Sequence, residues 1–309
     1  MAQSSVLRIG SRGSPLALAQ ARAVRDRLAA AHGVDAERIV IEAIRTTGDR
    51  IQDRPLAEAG GKGLFTKEIE DALLAGTIDL AVHSAKDVPT VLPPGLLLSA
   101  FLPREDARDV FISRKAKTLA DLAAGAVVGT ASLRRQALVK RLRPDLAVVN
   151  FRGNVETRLR KLDAGEVDAT LLALAGLKRL ERADAATAIL STDEFLPAVG
   201  QGIIALEARA DDARTRALLD AVNDRDGATA LACERAFLAV LDGSCRTPIA
   251  GYATVRAGAL AFRGLIARPD GSEVVEAARA GQVADAVALG ADAGSELKER
   301  AGTDFFAPV

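Results

Sequence analysis

The chain has 309 residues, 41 basic and 41 acidic side chains, a formal charge of zero and a hydrophobic share of 49%. A neutral chain lacks the positive field of a nucleic-acid binder, and with 3% aromatics and no tryptophan it also lacks stacking platforms for single strands. No apolar run approaches a membrane span, MAQSSVLRIG carries no secretory pattern, and two cysteines with two histidines build no zinc spacing; the expectation is a cytoplasmic protein with reduced thiols, no metal, no nucleic acid and no membrane.

Residues 6–9 read as a strand, and Ser14 and Pro15 open a helix over 15–31, the serine as cap and the proline in the first turn. A strand over 39–44, a Gly-rich loop over 60–63, a helix over 66–75 and an apolar strand over 78–82 follow. This alternation predicts a mainly parallel sheet covered by helices. The rhythm restarts after Pro103. A strand at 127–128 leads through GTASLRR into a helix ending near Arg143; a strand over 146–151, a helix opened by RGN and a strand over 169–172 come next. LPAVGQGIIALEA begins as loop and ends as strand. From about Asp220 the pattern becomes a helix over 228–241, strands over 249–255, 259–267 and 273–278, and a helix over 289–300, with ARPDGSE as a hairpin turn.

Polar signals gather where strands end and helices begin, the place where ligands bind in open α/β sheets and where helix N-termini offer free N–H groups. IGSRGSPLALAQ puts Arg12 and Ser14 there, and AVHSAKD puts His83, Ser84, Lys86 and Asp87 there. Each also has a plainer reading: a cap for Ser14, solvation for Arg12, a packed imidazole for His83, an idle surface pair for Lys86 and Asp87. Lys62 lies in a Gly-rich loop without the spacing of a nucleotide-binding P-loop. GTASLRR puts Thr130 and Ser132 at a helix start with Arg134 and Arg135 in its first turn, where the helix dipole disfavours cations, so a bound anion is expected to offset them. From Arg134 to Lys161 there are nine basic residues, Arg152 and Arg158 among them, against two acidic ones. Guanidinium groups grip carboxylates through paired bonds, so this set predicts a small polycarboxylate ligand. A solute-binding receptor would share these features; a reactive thiol would set an enzyme apart. LDGSCRTPIAG offers a candidate, with Cys245 among small residues at a turn and Arg246 beside it, a cation that would favour the thiolate.

IGSRGSPLALAQ, GGKGLFTKEIE, DLAVHSAKDVPT, GTASLRRQ, FRGNVETRL, LLALAGLKRL, LPAVGQG and the Cys245 loop occur here in one order. Together they resemble the porphobilinogen deaminase family, from about Arg8 to about Gly251. The resemblance implies a transferase of tetrapyrrole biosynthesis that joins four porphobilinogen molecules head to tail into hydroxymethylbilane with loss of ammonia. It implies one covalent dipyrromethane cofactor on Cys245, a catalytic Asp87, and cofactor contacts from Ser84, Lys86, Thr130, Ser132, Arg134, Arg135 and Arg158. Arg12, Ser14, Lys62, Arg152, Arg179 and Gln201 would meet substrate, and the molecule would be a monomer. Before the cysteine the family more often has two glycines; here stand Gly243 and Ser244. The implied fold is α/β: two periplasmic-binding-protein-like (type II) lobes with a central cleft, plus a C-terminal α+β domain with a small antiparallel sheet. The expected divisions are 1–101 with 200–219, 102–199, and 220–309.

Overall fold

The structure, a computed structural model, describes residues 7–50, 63–241, 248–302 and 305, with residues 49 and 50 described by backbone alone. In chain order they begin with β1 (Leu7–Arg12), α1 (Pro15–His32), β2 (Ile39–Ile44), α2 (Thr47–Arg50), α3 (Lys67–Leu74), β3 (Leu80–Ser84) and β4 (Leu96–Phe101). There follow β5 (Asp109–Ser113), β6 (Val127–Gly129), α4 (Leu133–Leu142), β7 (Ala147–Val149), α5 (Val155–Asp163), β8 (Ala169–Ala173), α6 (Leu174–Arg179) and β9 (Ala188–Ile189). Then come β10 (Ile204–Arg209), α7 (Ala213–Asp220), α8 (Arg225–Val240), β11 (Ile249–Arg256), β12 (Ala259–Ala267), β13 (Val274–Gln282) and α9 (Ala286–Ala301).

Two five-stranded mixed sheets and one three-stranded antiparallel sheet result. The first has the order β2-β1-β3-β10-β4, with β1 parallel to β2 and β3, and β10 antiparallel to β3 and β4. The second repeats the pattern as β7-β6-β8-β5-β9, with β6 parallel to β7 and β8, and β5 antiparallel to β8 and β9. In each sheet the strand set against the parallel trio is the one by which the chain arrives from the other sheet. The described residues divide into two compact units, residues 7–50, 63–104 and 203–228 in one, and residues 105–202, 229–241, 248–302 and 305 in the other.

Each α/β sheet is covered on both faces, which is why β5 and β8 read as near-continuous apolar runs rather than alternating ones. In the first unit Val24 and Leu28 of α1 pack on Ile9, Leu80 and Leu206, while Ile69 and Leu73 of α3 pack with Ile78 and Ala81. In the second, Leu138 of α4 packs with Phe111, Val128 and Leu171, and Leu159 of α5 with Val110 and Leu172. The antiparallel sheet buries Phe262 against Phe237 of α8 and Leu297 of α9. It also shares the second sheet's core through Ala250, Leu265 and Ala267. At the hairpin between β12 and β13, Gly271 has φ +74° and its Cα faces the main chain of Ala137 and Arg141 in α4, where a Cβ would collide.

The expected alternation is present, and so are the three C-terminal strands, but the sheets are mixed and not mainly parallel, because β10 and β5 each run antiparallel to both of their neighbours. The strand expected over 78–82 lies over 80–84, because Thr77 N and Ile78 N still donate to the Ala72 carbonyl in the turn that closes α3. No element is expected over residues 96–113, where β4 and β5 lie; Pro93 and Pro94 just before that segment and Pro103 within it mask two short strands.

Candidate functional site

In the first unit, β1 and β3 are parallel neighbours, so the loops after them open at the same sheet edge. Ser14 caps α1 by accepting from Ala17 N at 3.3 Å. The Arg12 guanidinium lies 4.1 Å from the centre of the Phe65 ring, a cation–π contact rather than simple solvation. Ser84 ends β3 and its hydroxyl accepts from Gln20 Nε2 of α1 at 2.9 Å, which ties the end of the strand to the helix. A single 3-10 turn, Ala85–Asp87, follows at once, held where Ala85 N donates to the Ile203 carbonyl at 3.0 Å. Lys86 and Asp87 are exposed on this turn, whereas Ala85 and Val88 on either side are buried. The strand end thus presents a carboxylate to solvent from a fixed turn. His83 points the other way: it is buried against Glu207 of β10, with Nε2 2.9 Å from Oε2. It is a packed imidazole here.

In the second unit the loops after β6, β7 and β8 open at one sheet edge, since β6 runs parallel to both neighbours. After β6, Thr130 Oγ1 accepts from Ser132 N at 3.2 Å, and Ser132 Oγ caps α4 by accepting from Arg135 N at 3.4 Å. Arg134 and Arg135 are buried, and both reach Asp109, the first residue of β5. Arg134 Nη2 donates to Asp109 Oδ2 at 2.7 Å; Arg135 donates to Oδ1 through Nε at 3.2 Å and Nη2 at 2.7 Å. Burial alone would raise the Asp109 pKa, but the two guanidinium charges outweigh it and hold it at about 2. The anion expected to offset this arginine pair is therefore supplied, in part, from inside the protein. Two cations share one carboxylate, and Arg134 Nε is buried with no hydrogen-bond partner.

Asn154 caps α5 by accepting from Thr157 N at 2.9 Å, and Arg158 in its first turns donates Nε to the Gly153 carbonyl at 2.8 Å. Burial, then the charges of Arg135 and Arg152, push the Arg158 pKa down to about 10. Arg135, Arg152 and Arg158 therefore form one field of like charge. Arg179, at the end of α6, is half-buried rather than free surface. Its Nη2 donates to the Gly202 carbonyl at 2.6 Å, and burial lowers its pKa against the opposing charge of Glu105. Gln201 is buried and donates Nε2 to the Ala107 carbonyl at 2.6 Å and to Asp109 Oδ1 at 3.1 Å.

The structure brings Arg12, Ser14, Ser84, Lys86 and Asp87 to one sheet edge of the first unit. It brings Thr130, Ser132, Arg134, Arg135, Arg152, Arg158, Arg179 and Gln201 together in the second. Lys62, Cys245 and Arg246 lie outside the described residues. Asp109 and Glu234 carry no motif and escape the sequence reading. Glu234 is fully buried in α8, where its Oε2 accepts from Gly200 N at 2.6 Å and its Oε1 from Ala253 N at 2.7 Å. The other cysteine, Cys233, is buried, and its thiol is pushed up to about 12 by burial and then by Glu234. Among the described residues no group of three or more His, Cys, Asp or Glu could hold a metal ion, and no helix is long and apolar enough to cross a membrane.

Mixed α/β sheets with buried, hydrogen-bonding arginine beside their strand ends define a class of fold suited to carboxylate ligands. Comparison with known proteins specifies it. Residues 7–217 match the porphobilinogen deaminase dipyrromethane cofactor binding domain, and residues 228–299 match the porphobilinogen deaminase C-terminal domain. Porphobilinogen deaminase of Nitrobacter winogradskyi is 67% identical over 96% of this chain and 94% of its own. That of Paracoccus denitrificans is 58% identical over 97% and 96%. Among solved structures, the methionine binding protein MetQ matches with a TM-score of 0.44 and 14% identity over 77% of this chain and 95% of its own. The chain belongs to the porphobilinogen deaminase family.

Proposed function

We propose that this protein joins four porphobilinogen molecules into the linear hydroxymethylbilane, releasing ammonia at each step, with Asp87 as its catalytic residue and Cys245 as the anchor of a dipyrromethane primer. The observation that carries the reading is the surplus of guanidinium charge at the strand ends of the second unit. Every pyrrole of this chemistry bears an acetate and a propionate. The unpartnered Arg134 Nε, and the like charges that Arg135 and Arg152 set against Arg158, are an excess of positive charge that such carboxylates would offset. The residues present therefore fit the primer.

When bound, the dipyrromethane supplies the growing end to which each new unit is joined. Asp87, exposed on its turn, accepts a hydrogen bond from the pyrrole N–H of the incoming unit. As ammonia leaves, positive charge spreads onto that ring nitrogen, and a carboxylate already in place stabilises it, an electrostatic effect aimed at the transition state. The same carboxylate is placed to move the proton released from the attacked pyrrole carbon. Lys86, Ser84, Thr130, Ser132, Arg134, Arg135 and Arg158 hold primer carboxylates. Arg12, Ser14, Lys62, Arg152, Arg179 and Gln201 take those of the substrate. Cys245 would hold the primer through a thioether that is kept through every cycle. A three-domain division, with the cysteine in the last domain, a cytoplasmic location and a monomeric state belong to the same proposal.

Two experiments test it. Intact protein purified in active form is expected to be heavier than its sequence by one dipyrromethane and to colour with an aldehyde reagent for pyrroles; Cys245→Ser should lose both signals. Fully active protein of bare sequence mass would refute the anchor. Asp87→Asn should keep its fold and lose about two to three decades of turnover, the usual effect of removing one such stabiliser. Near-normal turnover would place that role elsewhere.

A further inference from the structure

Asp109 has both carboxylate oxygens engaged, one by Arg134 and the other by Arg135 and Gln201. The far sides of the guanidinium groups are fixed as well. Arg134 Nη1 donates to the Leu196 carbonyl at 2.7 Å and Arg135 Nη1 to the Leu171 carbonyl at 2.9 Å. Each planar group is held at two ends, so neither retains rotational freedom. Three segments distant in sequence meet at this carboxylate: the head of β5, the first turn of α4 and the loop before β10. Gly200, next to Gln201, is itself pinned by Glu234.

A structural ion pair needs one arginine. A second on the same buried carboxylate leaves one net positive charge out of water, which costs more than an apolar replacement would. That surplus serves a purpose only if an anion arrives to meet it, and then the orientation of the two groups decides how well it is met. We infer that Asp109 is a positioning residue for the reaction, holding Arg134 and Arg135 in the one arrangement that receives the primer carboxylates, an inference that rests on the proposed role of those arginines.

The test separates positioning from mere support of the fold. Protein made in cells lacking porphobilinogen is incubated with porphobilinogen, and the rate at which the primer-loaded mass appears is followed by intact-mass spectrometry. Asp109→Asn is compared with Leu122→Ala, which empties core volume beside the far end of α4, where the Leu122 carbonyl accepts from Arg143 Nη2 at 2.9 Å. Temperature is set so that both variants have the same folded fraction. Asp109→Asn should load about tenfold or more slowly than Leu122→Ala. Equal rates would overturn the inference, because a structural role predicts equal loading at equal stability. If Asp109→Asn does not fold, Asp109→Asn/Arg134→Gln restores the wild-type net charge of the cluster and is compared with Arg134→Gln alone. Slower loading in the double variant supports a hold on Arg135, and equal loading rejects it. Failure of the wild-type protein to load would reject the proposed function itself, which is distinguishable from equality between variants.

Discussion

Asp109 shows how one buried carboxylate ties stability to acidity. Its pKa of about 2 lies below the ordinary 3.8 despite burial, because Arg134 and Arg135 favour the charged form. A group lowered on folding contributes stability that is fully present above the unfolded value and is lost as pH falls through the folded one. The contribution, on the order of 2 kcal/mol, should therefore disappear between about pH 4 and pH 2. Urea titrations across that range should show a shallower acid dependence in Asp109→Asn than in the wild type; identical slopes would contradict the assignment. The two cysteines give a second contrast. With its thiol pushed up to about 12, Cys233 should resist iodoacetamide at neutral pH, while Cys245 of primer-free protein should be alkylated, as peptide mass mapping will show. The arginine pair was legible because RR in a first helical turn breaks a local rule. Its partner was not, because Asp109 lies 26 residues from Arg135 at the head of an apolar strand, where nothing periodic marks it.

At the scale of elements, helix starts were the most legible feature. Ser14, Ser132 and Asn154 all cap the helices that follow them, since a cap is a short-range arrangement written in adjacent residues. The order of strands was less legible, because pairing joins β3 to β10 across an entire intervening lobe. Two devices that join elements have measurable weight. Glu234 links α8 to the Leu196–Gln201 region and to β11 through two charge-assisted bonds, so Glu234→Gln should lower unfolding free energy by about 2 kcal/mol in urea. Gly271 seats the β12–β13 hairpin on the main chain of α4, so Gly271→Ala should cost about 1–3 kcal/mol through steric displacement and an unfavourable φ. A neutral result in either measurement would mean that the hairpin or helix has room to shift.

At the scale of the molecule, a ligand that binds only the native state raises the melting temperature by mass action, and a covalently retained one does so permanently. Primer-loaded protein should melt several degrees above the Cys245→Ser variant, provided polycarboxylate contacts and not the sulfur bond alone do the work. Calorimetry of both forms, with and without citrate as a competing anion, reads this directly. The position of β10 has one last consequence, for biogenesis. His83 and Glu207 are 124 residues apart, yet they pair at the centre of the first sheet. During synthesis at ordinary speeds the ribosome extrudes β3 on the order of ten seconds before its antiparallel neighbour exists. Throughout that interval the nascent sheet has an open inner edge and an unmatched imidazole. Premature termination before Ile204 would leave an aggregation-prone stub instead of a smaller working enzyme.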